Sequence, residues 1–65
     1  MNANKIRAKI IEKGLNQGRV ASIIGISQNS FSRKLSGKRD FSLSEVIALC
    51  DALEVENPKE IFFEK

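Results

Sequence analysis

The chain has 65 residues, 42% of them hydrophobic, with no Trp, Tyr or His and a lone Cys. A chain of that length buries about 60% of its unfolded surface, so one small domain over residues 1–65 is expected. An intramolecular disulfide and a Cys/His metal site lack their partners, and general-base catalysis lacks its usual residue. No run of 18 apolar residues occurs, and the opening MNANKIRAKIIEKG has no signal-peptide core. The expectation is a cytoplasmic protein that is not an enzyme and needs no metal or cofactor.

A net charge of +3 conceals a strong asymmetry. Residues 1–39 hold nine basic side chains against Glu12 alone, net +8, whereas residues 40–65 hold two basic and seven acidic ones, net −5. Such a division suits a polyanion-facing portion and a portion held away from it. Lys5, Arg7 and Lys9 read as a solvated face.

Helix punctuation recurs along the chain. Asn2 can cap a first helix over 3–13, with Ala3, Ile6 and Ile10 on its core face and Gly14 as its stop. Leu15-Asn16 precedes Val20, the spacing of a hydrophobic staple that opens a second helix over 17–24. Val20, Ala21 and Ile24 line that helix, and Gly25 ends it. Ile26-Ser27 before Phe31 repeats the staple for a third helix over 28–36, in which Phe31 and Leu35 share a face and Gly37 follows. Phe41-Ser42 before Val46 repeats it again, and Ser42 with Glu45 forms a capping box for a helix over 43–53. Its expected core stripe is Leu43, Val46, Ile47, Cys50 and Leu53, with Leu49 and Ala52 turned toward a last helix. Cys50 on that stripe reads as a small hydrophobe. Asn57-Pro58-Lys59-Glu60 opens the last helix, over 58–63. The fold class is all-α, a compact bundle of five short helices.

The segment from Gln17 to Arg33 places two short helices about three residues apart, the geometry of a helix-turn-helix. Ala21 is small where the third helix crosses the second, Gly25 turns the chain, and Ile26 and Phe31 fill the angle between them. Gln28, Asn29, Ser30, Ser32 and Arg33 then lie on the solvent side of the third helix. Amides and guanidinium are the groups that read adenine and guanine edges.

These residues resemble the phage-repressor and Cro-type helix-turn-helix proteins, also called lambda-repressor-like or XRE-type regulators. The match runs through Leu15, Gln17, Ala21, Gly25-Ile26-Ser27-Gln28, Ser32-Arg33 and Gly37-Lys38, and extends from about residue 5 to 63. The resemblance implies a sequence-specific DNA-binding transcriptional regulator, a small Cro-like repressor of a phage or mobile element, with the third helix in the major groove. It implies phosphate contact for Gln17, which also supports Gln28, and base or phosphate contacts for Asn29, Ser30 and Arg33, with Ser32 a further candidate from its place on the solvent side of the third helix. Lys38 and Arg39 match a loop that touches the DNA backbone. Three positions depart from the pattern. Gly18 replaces an acidic helix former, which either weakens the first turn by about 1 kcal/mol relative to Ala or admits a phosphate close to the backbone. Lys34 stands where an apolar residue is usual, leaving a rotation of the third helix open. Asp40 lowers the field beside Lys38-Arg39.

One recognition helix reads few base pairs, so a weak homodimer on a palindromic operator is expected. Ile61, Phe62 and Phe63 lie at 100° steps, so one core cannot take all three. Ile61 and Phe62 are expected over the fourth helix, leaving Phe63 as the dimer anchor. The alternative is a protein-interaction module, an antitoxin or anti-repressor adaptor docking through the acidic C-terminal half and Ile61-Phe62-Phe63.

Overall fold

A computed structural model describes residues 1–63, except for the side chain of Phe63. The described residues form four α-helices and a closing turn, with no β-strand. The helices are α1 (Ala3–Glu12), α2 (Gln17–Ile24), α3 (Gln28–Leu35) and α4 (Leu43–Leu53), followed by a π-helical turn, Lys59–Phe63. The all-α class and the helix-turn-helix of the sequence reading are both present. The fifth helix stands where expected, and it is π-helical. The Pro58 carbonyl there accepts from the N–H groups of both Ile61 (3.1 Å) and Phe62 (2.9 Å).

Each helix starts where its cap residue stands. Asn2 Oδ1 accepts from Lys5 N at 3.1 Å, Asn16 Oδ1 from Arg19 N at 2.8 Å, and Ser27 Oγ from Ser30 N at 3.1 Å. At α4 the box is reciprocal: Ser42 Oγ accepts from Glu45 N at 3.2 Å, and Glu45 Oε1 accepts from Ser42 N at 2.9 Å. Each such bond satisfies a backbone donor that the helix itself leaves unpaired. Gly25 closes α2 at φ +84°, a left-handed conformation that glycine adopts without a Cβ penalty. Glu54 does the same for α4 at φ +55°, a position no glycine marks.

The core gathers Ile6 and Ile10 of α1, Val20 and Ala21 of α2, Phe31 and Leu35 of α3, Leu49 and Leu53 of α4, and Ile61. Leu15, Ile26 and Phe41, the residues preceding three of the caps, pack against it. Phe41 joins two elements, its ring 5.8 Å from that of Phe31 and 6.0 Å, edge-on, from that of Phe62. Aromatic pairs in such tilted geometries contribute about 0.5–1.5 kcal/mol beyond their buried area. Helix α2 packs on both α3 and α4, and α1 packs on the closing turn, where Asn2 N donates to the Ile61 carbonyl at 2.6 Å.

The buried stripe of α4 matches the spacing only in part. Cys50 and Leu53 are buried as expected, together with Leu49, and Val46 is half-buried, but Leu43 and Ile47 are 76% and 57% exposed. The cause is local: α4 is apolar on nearly every side (Leu43, Val46, Ile47, Ala48, Leu49, Cys50, Ala52, Leu53), so periodicity does not select one face. Contact with α2 selects it.

Candidate nucleic-acid interface

The side chains expected to meet DNA come from three adjoining pieces of backbone. Asn16 caps α2 and so fixes Gln17 at its first position, half-buried. The turn from Gly25 to Ser27 aims α3, and burial of Phe31 and Leu35 fixes how α3 is rotated about its axis. With those two residues inward, Arg33 points away from the core and Asn29 lies beside it, while Ser32 and Gln28 carry the exposed arc round toward the Leu35 edge. Ser30 is half-buried and lies beside Arg33, on the side toward Lys34. Lys38 and Arg39 are exposed in the loop between α3 and α4.

Lys34, the residue that left the orientation of α3 open, has a partner in α4. Its Nζ donates to both carboxylate oxygens of Glu45, at 2.6 and 2.7 Å, and the two side chains are only 14% and 15% exposed. Glu45 therefore serves twice, as capping residue for α4 and as anchor for the C-terminal half of α3. The Lys34 ammonium, and then the Ser42 backbone N–H, hold the Glu45 carboxyl below the usual carboxylate range. The loop carrying Lys38 and Arg39 is thus bounded at both ends by one ion pair. Sequence inspection missed this pair, whose only signal is the unexpected charge at Lys34.

The basic half of the chain divides in two. Lys9 pairs with Glu12 at 3.5 Å and Lys13 with Glu54 at 2.5 Å, so with Lys34 three of its cations are balanced internally. Arg19, Arg33, Lys38 and Arg39 form no ion pair among the described residues, and all four are exposed. Asp40 makes none with its basic neighbours either. Arg19 was not singled out in the sequence; its signal is its place in the first turn of α2. Four cations without an ion pair among the described residues therefore belong to the helix-turn-helix and the loop after it; Arg7 on α1, bonded to the neutral Asn4, is a further one.

Gly18 has a specific neighbour. A Cβ built on it would lie 3.0 Å from Gln28 Oε1 and 3.4 Å from Gln28 Cδ. The open side of this glycine is where the Gln28 amide rests.

The apolar tail is largely consumed by the core. Ile61 is 2% exposed and belongs to the central cluster, and Phe62 is half-buried against Phe41. Little of either remains on the surface for a dimer contact or for the docking face of an adaptor. The side chain of Phe63, the expected anchor, lies outside the described residues.

No group of three or more potential metal ligands occurs among the described residues, and no helix there is long and apolar enough to cross a membrane. A family model described as Cro/C1-type HTH DNA-binding domain matches residues 5–62, nearly the whole chain. No curated protein and no solved structure matches. The chain belongs to the Cro/C1-type helix-turn-helix family and is a DNA-binding regulator.

Proposed function

We propose that this regulator is a sequence-specific repressor that reads the DNA major groove with α3. Gln28, Asn29, Ser32 and Arg33 reach base edges, and Ser30, beside Arg33, reaches a base or a nearby phosphate. Gln17, Arg19, Lys38 and Arg39 contact the backbone on either side. The carrying observation is that the exposed polar side chains of α3 lie beside Arg19, Arg33, Lys38 and Arg39, four exposed cations with no ion pair among the described residues. Amide and guanidinium groups discriminate base pairs by their paired donors and acceptors, whereas unpaired cations attract any duplex.

A single α3 spans too few base pairs to define a site, so the operator is palindromic and the protein binds it as a weak homodimer, with half-sites about one helical turn apart. The Cro/C1-type match supports placing it among the small repressors of phages and other mobile elements, acting on cytoplasmic DNA. Selection from a random duplex pool, followed by titration of the winner across a salt series, tests the reading. A palindromic motif should emerge. If Arg19, Arg33, Lys38 and Arg39 each neutralise one phosphate, log K should fall with log salt at a slope of about −3 to −4 per protomer. Enrichment of no motif, with a slope near zero, would refute it and favour a protein-binding adaptor.

A further inference from the structure

Gly18 touches none of the groups assigned above to DNA, yet it faces one of them. The carbonyl end of the Gln28 side chain lies where a methyl group on residue 18 would sit, 3.0 Å from that carbon. A contact of 3.0 Å is tighter than nine in ten that real Cβ atoms make, so a side chain at 18 pushes the amide aside by a few tenths of an ångström. Asn16 Oδ1, the cap of α2, is the other near neighbour at 3.4 Å, an ordinary contact that need not move. Gln28 itself is exposed and attached by three rotatable bonds, so it can yield without disturbing the core.

We infer that Gly18 is a specificity-determining residue: its missing side chain leaves room for the Gln28 amide against the first turn of α2 and so sets which base Gln28 prefers. The inference rests on the proposal that α3 reads bases. An amide whose carbonyl rests against α2 has its N–H2 left to donate, which suits a major-groove acceptor such as purine N7 or guanine O6. Displaced, the same amide is free to offer both ends and to pair bidentately with adenine. Glycine is also a poor helix former, so its presence in α2 has a stability cost that alanine would remove. Helix stability and base preference therefore move in different directions at this position.

The test is Gly18→Ala, Gln28→Ala and the double variant, each passed through the same duplex selection and thermal melt as the wild type. Gly18→Ala should melt at or above the wild-type temperature and keep the wild-type salt slope. Its selected motif should change at one position of each half-site, with the preference ratio there shifting about fivefold or more. On the Gln28→Ala background the same substitution should change nothing in the motif. An unchanged motif in Gly18→Ala overturns the inference, as does a change that persists without Gln28. A melt well below wild type also overturns it, since the methyl would then meet something that cannot move. A wild type that selects no motif refutes the DNA-reading proposal itself, a result separable from the other three.

Discussion

Replacing Glu45 by Gln isolates the ion pair that joins α3 to α4. The amide keeps the shape of the side chain and an oxygen for the Ser42 N–H, so the capping box survives. What disappears is the charge opposite Lys34, whose side chain is 14% exposed and whose ammonium has two carboxylate contacts below 2.8 Å. A charge-assisted hydrogen bond contributes about 1.5–3 kcal/mol when the alternative is an unpaired partner. Partial exposure of both groups puts the expected loss toward the lower end, about 1–2 kcal/mol. For a core that supplies only about 3–5 kcal/mol, that is a large fraction. At about 4–8 °C per kcal/mol, the melt should drop by about 5–15 °C.

Lys34→Met with Glu45→Gln should recover most of that loss, because a pair removed together leaves no buried charge unmatched. The double-mutant cycle should give a coupling of about 1–2 kcal/mol. The pH profile gives an independent check. The folded-state Glu45 pKa is depressed, so its stabilisation is complete above the unfolded carboxylate value, about 4.3, and is lost as pH falls through the folded value. The gap in melting temperature between wild type and Glu45→Gln should close in that acid range. Additive single effects, within about 0.5 kcal/mol, or a gap independent of pH, would mean that the pair does not hold α3.

Ala21→Leu should destabilise the domain by about 1–3 kcal/mol, because Ala21 is fully buried on the helix that packs against both α3 and α4; an unchanged thermal melt would disprove that crossing. Arg33→Ala should weaken binding by about 1–3 kcal/mol and relax the selected motif at one position of each half-site. Lys38→Ala should weaken all duplexes equally and reduce the salt slope by about 1, so motif selection and salt titration together separate the two roles. Glu54→Gly should raise the melting temperature, since Glu54 holds a left-handed conformation and its pair with Lys13 is exposed; a lower melt would assign the Lys13 pair the greater weight.

The helix starts were legible because caps act locally: Asn2, Asn16, Ser27 and Ser42 each bond a donor three residues on, and that spacing is written in the chain. The buried side of α3 was legible too, since Phe31 and Leu35 are the only apolar residues on it, but the charge at Lys34, which Glu45 meets in the structure, left its rotation open. Helix α4 was not, because its apolar residues ring the axis and only α2 decides that Leu49 is buried while Leu43 and Ile47 are not. The Lys34–Glu45 pair and the Gly18–Gln28 contact join residues 11 and 10 positions apart across a turn. Such pairings depend on the crossing of two helices, which no local pattern encodes. The left-handed Glu54 was hidden for a different reason. Glycine advertises that conformation, and glutamate does not.

Amide shifts in a two-dimensional NMR titration test the central claim most directly, using the full chain and the duplex recovered by selection. The account expects the largest changes at residues 17–19, 28–33 and 37–42, with α1 and the acidic C-terminal half little affected. Changes centred on α1 or on the exposed Leu43–Ile47 face, with α3 undisturbed, would contradict it.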